Sequence, residues 1–282
     1  MTRLRIASWL VPLMSTAVLV TSCTQQPADP SPATEEMGLG HTHGLGVDPA
    51  DDMLYAAGHH GVFRVPGSGE PTQVSQTQDI MGFVVAGPGH FLGSGHPSPD
   101  DTNRPPHLGL VESTDAGRTW TTLSLAGEVD FHALEAKHGR VYGFDSQSQQ
   151  LMVSEDRESW DRRARLSLVD FAVDPGDPAT LLATTEQGLA RSSDGGHTFT
   201  PVPDAPVLLL TDWPSESVLV AVAPDGTVHR SSDGGTTWTR AGTAPGAPEA
   251  LTTDGPAGVY VATDTGIHRS ADGGRSFSSV GG

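Results

Sequence analysis

Histidine is the residue type best placed to do chemistry in this sequence, and it is unevenly distributed. Nine of the twelve histidines fall between His41 and His138. Imidazole mixed with thioether sulfur suits copper, especially Cu(I), whereas imidazole mixed with carboxylate suits zinc. The positions of these residues in the repeats described below make seven of them candidate metal ligands: His43, His59, His60, Met81, His96, His107 and His132.

Carboxylates next to these candidates favour a second kind of chemistry. Asp79 is two residues before Met81, and Asp130 is two residues before His132. Glu249 stands at the corresponding point of a later repeat. Two carboxyl groups that flank a glycosidic bond can cleave it, one as the acid and the other as the base or nucleophile. Asp79, Asp130 and Glu249 are therefore candidate catalytic residues of a glycan hydrolase.

A repeated octet predicts the elements that position these residues. Ser231–Trp238 is SSDGGTTW, and related octets stand at 113–120, 192–199 and 270–277. Ser and Asp side chains bond nearby backbone N–H groups and Gly adopts positive φ, so each octet predicts a turn between antiparallel strands. The octet aspartates, together with Asp156 of a shortened copy, are separated by 38 to 41 residues. This period is typical of one four-stranded propeller blade.

Six repeats account for residues 41–282 and predict an all-β, six-bladed β-propeller around a central channel. Repeat one has Pro66–Gly69 in place of an octet, and repeat two carries an insertion, Pro97–His107, between its second and third strands. In repeat five, an apolar run predicts a first strand at 207–211. In such a meander the start of the first strand and the loop after the second strand lie on one face. All seven metal candidates are expected on that face, and the octets on the other.

The octet pattern S-x-D-x-G-x-T-W resembles the Asp-box of the BNR repeat, which occurs in propellers of the sialidase and sortilin-like superfamily. Other propellers with this motif include xyloglucan-cleaving glycosidases and photosystem assembly factors, so the resemblance implies the fold without a single function. The chain more closely resembles exported bacterial glycosylhydrolase-like Asp-box lipoproteins. The matching segments are HTHG at 41–44, HHG at 59–61, DIMGF at 79–83, SGHP at 94–97 and DFHA at 130–133.

The sialidase resemblance implies a site that we do not find in the sequence. Sialidases hold the substrate carboxylate with three arginines and use a tyrosine nucleophile supported by a glutamate. Here Tyr55, Tyr142 and Tyr260 fall inside predicted second strands, and the recurrent arginines stand near the octet end of the third strands. The sequence therefore leaves enzymatic activity open.

The N-terminal segment predicts export and attachment to a membrane. Residues 1–22 contain two arginines followed by an apolar run that ends at Val20, which are the features of a secretory signal peptide. The sequence VTSC resembles a bacterial lipobox, which implies that Cys23 is lipidated. Residues 23–40, rich in proline and polar residues, are then a flexible tether. We expect an extracytoplasmic lipoprotein anchored to the bacterial membrane.

The charge of the chain excludes one class of partner. The formal net charge is −18, and residues 1–22 hold two basic and no acidic residues, so the mature chain carries −20. Such a surface repels nucleic acid. The leading hypothesis is a propeller that binds a ligand, in particular a copper or zinc ion, at a His-rich channel mouth. The alternatives are a sialidase-like hydrolase acting on a glycan and a non-enzymatic scaffold for another envelope protein.

Overall fold

The computed structural model describes residues 38–281, which form 24 β-strands in six antiparallel four-stranded sheets. The predicted signal peptide, the lipidated Cys23 and the tether up to residue 37 lie outside the described residues. Among residues 38–281 no helix has the length and apolarity that a membrane span requires.

The first three sheets follow one another along the chain. Blade 1 comprises β1 (Thr42–Asp48), β2 (Met53–Gly58), β3 (Gly61–Val65) and β4 (Thr72–Gln73). Blade 2 comprises β5 (Asp79–Gly87), β6 (His90–His96), β7 (Leu110–Ser113) and β8 (Thr121–Ser124). Blade 3 comprises β9 (Phe131–Lys137), β10 (Arg140–Asp145), β11 (Gln150–Ser154) and β12 (Asp161–Arg165).

The other three sheets repeat the same meander. Blade 4 comprises β13 (Leu168–Val173), β14 (Leu181–Thr185), β15 (Gly188–Ser192) and β16 (Thr200–Pro201). Blade 5 comprises β17 (Leu210–Ser215), β18 (Val218–Val222), β19 (Thr227–Ser231) and β20 (Thr239–Thr243). Blade 6 comprises β21 (Pro248–Asp254), β22 (Gly258–Thr263), β23 (Gly266–Ser270) and β24 (Ser278–Val280). The prediction of a six-bladed β-propeller is confirmed.

Side-chain and backbone hydrogen bonds explain why the octets are turns. In blade 5, Ser231 Oγ accepts a bond from Gly235 N and donates to Asp233 Oδ1, each over 2.8 Å. Asp233 in turn accepts from the backbone N–H and hydroxyl of Thr237 at 2.9 and 2.6 Å. These bonds lower the pKa of Asp233 to about 2. The Ser, Asp and Gly bonds recur in the octets at 113–120, 192–199 and 270–277.

Apolar side chains between neighbouring blades form the core. One such cluster, between blades 3 and 4, includes the fully buried Tyr142, Leu151 and Leu181. A further cluster joins the first and last blades and contains Leu45 and Ala56 of blade 1 with Ile267 of blade 6. Each blade is built from one continuous stretch of chain, so the ring closes between blades 6 and 1 without a shared sheet in residues 38–281.

An acceptor side chain of each blade also binds a backbone N–H of the next blade. Across the closure, Glu249 accepts from Thr42 N over 3.0 Å. The other five bonds, in order around the ring, are Gly89 N to Asp48 (3.0 Å), Phe131 N to Ser94 (3.0 Å), Val173 N to Glu135 (2.6 Å), Thr211 N to Asp170 (2.8 Å) and Thr253 N to Asp212 (2.7 Å). We call these six contacts the interblade acceptor bonds. They give several channel carboxylates a structural role.

The first strand of blade 5 lies further along the chain than the sequence predicts. The apolar run at 207–211 precedes most of β17, and Val207 is 71% exposed. The residue that fills the core is Trp213, which is 1% exposed. The strand position is therefore set by burial of this indole and by the bond between Asp212 and blade 6. The prediction from the apolar run at 207–211 places the strand too early in the chain.

Candidate metal centre at the channel mouth

The innermost strands of all six blades surround a central channel with a cavity of about 400 Å³. His41, His43, Met81 and His132 line it on the side of blades 1 to 3. These residues come from the starts of β1, β5 and β9, as the meander geometry predicts. The histidines near this side form two separate groups.

The first group, which we call the histidine cluster, comprises His41, His43 and His59. One ring nitrogen of each lies within 4.8 Å of the others. His41 Nδ1 is 3.3 Å from His43 Nδ1, and His43 Nε2 is 3.3 Å from His59 Nδ1. His41 and His43 are two residues apart at the start of β1, and His59 lies in the tight β2–β3 turn. Antiparallel pairing of β1 with β2 brings these positions together.

Asp79 at the start of β5 completes the surroundings of this cluster from blade 2. His59 Nδ1 donates to Asp79 Oδ1 over 3.0 Å, and His43 Nε2 lies 3.6 Å from the same oxygen. A carboxylate partner of this kind orients the histidine ligands of metal sites. The side chain of His43 is 11% exposed, and burial together with the neighbouring His59 lowers the pKa of His43 to about 4. His43 is therefore neutral at pH 7, the form in which imidazole binds metal.

The second group, the insertion cluster, comprises His96, His107 and Asp130. One ligand atom of each lies within 4.8 Å of the others. Asp130 Oδ2 is 3.7 Å from His96 Nε2 and 4.0 Å from His107 Nδ1. His132 Nε2 and Ser146 Oγ donate to Asp130 Oδ2 over 3.0 and 3.1 Å. Although burial opposes ionisation, bonds such as the one from His132 lower the pKa of Asp130.

One strand pair links the two clusters. Asp79, beside the histidine cluster, and His96, in the insertion cluster, are direct Cα partners in the β5–β6 ladder. Directly paired residues of antiparallel strands are about 4.5–5.5 Å apart between Cα atoms. The two clusters are therefore adjacent but use different side chains.

The structure also places the remaining predicted ligands. Met81 lines the channel with His43 and His132. His60 is in neither cluster, and its backbone carbonyl accepts a bond from Gln73. Sequence reasoning did not include His41, which the structure places in the histidine cluster. The signal was present in the His-x-His spacing, which puts both side chains on one face of a strand.

The channel carboxylates are held by neighbouring groups. Glu249, a catalytic candidate, accepts from Thr42 N and lies 3.8 Å from His41 Nε2. Glu135 is 2.6 Å from Lys137 Nζ, and burial raises the pKa of Glu135 despite this partner. Burial also raises the pKa of Asp170 to about 7. This part of the channel therefore contains acids that ionise less readily than usual.

Comparison with known proteins supports the fold. The sequence matches no protein-family model and no curated protein. Among solved structures, a gluconolactonase from Xanthomonas campestris superposes with a TM-score of 0.66 at 14% identity, over 83% of this chain and 87% of that chain. YCF48 bound to a D1 peptide has a TM-score of 0.59 at 13% identity, over 84% and 94%. The chain is a six-bladed β-propeller.

A third structure shows how widely the functions of similar propellers vary. A GH74 xyloglucanase from Xanthomonas campestris has a TM-score of 0.51 at 18% identity. The match covers 85% of this chain but only 38% of the xyloglucanase. Identities this low support the shared architecture alone, so the function must be argued from the residues at the channel mouth.

Proposed function

We propose that this propeller binds a transition-metal ion, copper or zinc, at the histidine cluster. The observation that carries the proposal is the convergence of ring nitrogens from His41, His43 and His59 within 4.8 Å. Three imidazoles so close together are a common ligand set for these metals. Asp79 supports the set through its bond to His59. The exposed edge formed by His41 gives an ion access from solvent, since half of that side chain is exposed.

Copper is the metal that we expect to bind more tightly. For a given set of nitrogen ligands, Cu(II) exceeds the other divalent first-row metals in affinity, including Zn(II). The thioether of Met81 lines the same channel as His41 and His43, and thioether sulfur favours Cu(I). The three imidazoles therefore suit Cu(II), and a thioether contributed by Met81 would add affinity for Cu(I).

Several sequence features support a role in the cell envelope. The signal-like residues 1–22 and the lipobox-like sequence before Cys23 support export and lipid anchoring. The octet pattern supports membership in the Asp-box propellers. We expect a Cys23→Ala variant to move from the membrane fraction to the soluble fraction, and equal membrane association of the two proteins would contradict anchoring through Cys23.

The hydrolase hypothesis receives less support from the geometry. Its three candidate carboxylates all have partners: Asp79 accepts from His59, Asp130 from His132, and Glu249 from the backbone of blade 1. A pair of carboxylates free to act on a glycosidic bond is not evident among residues 38–281. The scaffold hypothesis predicts that an envelope protein co-purifies with the metal-free propeller.

The test is metal content and thermal stability of the protein purified without a polyhistidine tag. We expect the His43→Ala/His59→Ala variant to lose about one equivalent of bound copper and the thermal stabilisation that copper provides, since a ligand stabilises the state that binds it. His60→Ala is the matched control, because His60 adjoins His59 but lies outside the cluster. Equal copper content in the double variant and the control would refute the proposal.

A further inference from the structure

In residues 38–281, only one blade has a long loop between its second and third strands, and both ends of this loop contact the neighbouring blade. This loop, 97–109, joins β6 to β7 and contains the insertion predicted from sequence. His96 precedes the loop and His107 lies near its end, yet both rings turn toward Asp130 of blade 3. The insertion cluster thus joins the two ends of the loop to the neighbouring blade.

Two buried polar atoms of this cluster lack a hydrogen-bond partner among residues 38–281. His96 Nδ1 lies 2.8 Å from the Pro106 carbonyl oxygen. A carbonyl only accepts, so Nδ1 carries a proton, and in the neutral imidazole Nε2 presents a lone pair toward Asp130. Within residues 38–281, no group hydrogen-bonds to the buried His107 Nδ1 or to the buried Asp130 Oδ1.

A metal ion is one partner that would satisfy both of these unpaired atoms. Asp130 is 2% exposed, and a buried carboxylate oxygen without a donor costs free energy. Two imidazoles and a carboxylate are a common three-residue ligand set for zinc, with a fourth position left for water. In a tetrahedral zinc site the ligand atoms are roughly 3.4 Å apart, given metal–ligand distances of about 2.0–2.2 Å. Ligand atoms already within 4.8 Å reach that spacing through small side-chain movements.

We propose that His96, His107 and Asp130 bind Zn(II), and that the ion clamps both ends of the 97–109 loop to blade 3. His132 is a positioning residue, because it donates to Asp130 Oδ2, the carboxylate oxygen that lies nearest to His96 and His107. The site shares no ligand with the histidine cluster, so it does not rest on the function proposed above. Zinc is favoured here over Cu(I) because the set contains a carboxylate and no sulfur.

Leu108 near the end of the loop is buried in the core, but few other hydrogen bonds join the loop to the rest of the propeller, so a bound metal would affect its dynamics. Arg104 donates to Gln78 Oε1 over 3.3 Å, and two backbone bonds, Leu108 N to Gly95 O and Gly127 N to His107 O, hold the C-terminal end. Amide hydrogen exchange reports local opening of this kind of segment. Zinc is expected to slow exchange in residues 97–109 and to leave the octet turns on the opposite face unchanged.

The first test measures zinc content and hydrogen–deuterium exchange of the purified, untagged protein. We expect the wild type to lose protection at 97–109 when a chelator removes zinc and to regain it when Zn(II) is restored. Because this comparison uses the wild-type chain, it does not depend on the folding of a variant. Unchanged exchange at 97–109 after complete removal of zinc, or the absence of zinc binding, would overturn the clamp.

Variants then assign the ligands. His96→Gln/His107→Gln is expected to lose one equivalent of zinc, whereas the matched double variant His43→Ala/His59→Ala in the histidine cluster keeps zinc at the clamp and the protection of the loop. His132→Ala is expected to weaken zinc binding by about 10–100-fold without a change in melting temperature of the zinc-free protein, and His132→Gln, which retains a donor, to restore part of the affinity. Full zinc content and loop protection in His96→Gln/His107→Gln would overturn the assignment.

Discussion

Asp170 offers a test of how the channel carboxylates contribute to stability. This residue of β13 accepts the backbone N–H of Thr211 in blade 5 over 2.8 Å. Burial raises its pKa from 3.8 to about 7, and Glu135 and Asp212 add to the increase. The replacement to make is Asp170→Asn, because the amide oxygen of Asn can accept the same bond from Thr211 but cannot become charged.

The direction of the pH effect follows from the raised pKa. Between about pH 4 and pH 7 the folded protein keeps a proton on Asp170 that the unfolded chain releases, so ionisation of this residue lowers the free energy of unfolding as pH rises. A pKa raised from 3.8 to about 7 corresponds to roughly 4 kcal/mol. Because Asp170 is only partly buried where it lines the channel, this figure is an upper bound, and we expect ionisation to lower the free energy of unfolding by about 2 kcal/mol.

Urea unfolding of the wild type and Asp170→Asn between pH 4.5 and 8.5 measures this difference. We expect similar stability at the lowest pH and a variant more stable by about 2 kcal/mol above pH 7. Asp100→Asn is the control, since Asp100 is exposed in the insertion. If the stability difference between Asp170→Asn and wild type stays constant with pH, or if the variant is less stable at pH 8.5, ionisation of Asp170 does not destabilise the fold.

Three further replacements test the ring and its turns. Glu249→Ala leaves the Thr42 N–H without its acceptor and is expected to lower the free energy of unfolding in urea by about 1–3 kcal/mol. Glu249→Gln keeps an acceptor and should keep most of the stability. Equal losses in the two variants would argue against a stabilising role of the bond. Asp233 has a pKa near 2, so its stabilisation is complete above its unfolded pKa and disappears as pH falls toward 2. In thermal melts, the melting temperature of Asp233→Ala should therefore fall less between pH 4 and pH 2 than that of the wild type. The same fall in both proteins would contradict this role of Asp233. Gly235 has φ +84°, and a Cβ there would lie 2.6 Å from Leu182. Gly69 has a similar φ of +89°, but no atom lies within 4 Å of an added Cβ. Gly235→Ala should therefore lower the free energy of unfolding more than Gly69→Ala does, and equal losses would show that backbone strain alone causes the effect.

The fold is largely predictable from the sequence because its turn signal is local. Every bond that defines the blade 5 octet lies within Ser231–Trp238, and the same residues recur at regular spacing. The position of β17 is less predictable, since it depends on burial of Trp213 between blades and on the bond from Asp212 to Thr253. Such contacts join residues about one repeat apart and leave no local pattern.

The candidate site is only partly predictable for the same reason. Strand order predicts the face on which His43, His96 and His132 lie, but it does not supply distances between side chains. The division into two clusters depends on the direction of Asp79 toward blade 1 and on the return of the 97–109 loop, which brings His107 to Asp130. The interblade acceptor bond of Glu249 shows the opposite case, in which a residue typical of catalysis has a structural partner.

Anomalous diffraction from crystals grown with copper is the most direct test of metal binding at the channel mouth. We expect a copper peak among the rings of His41, His43 and His59 that disappears in crystals of His43→Ala/His59→Ala. If the wild type shows no peak among these rings, with copper either absent or bound only elsewhere on the propeller, the histidine cluster is not a copper site.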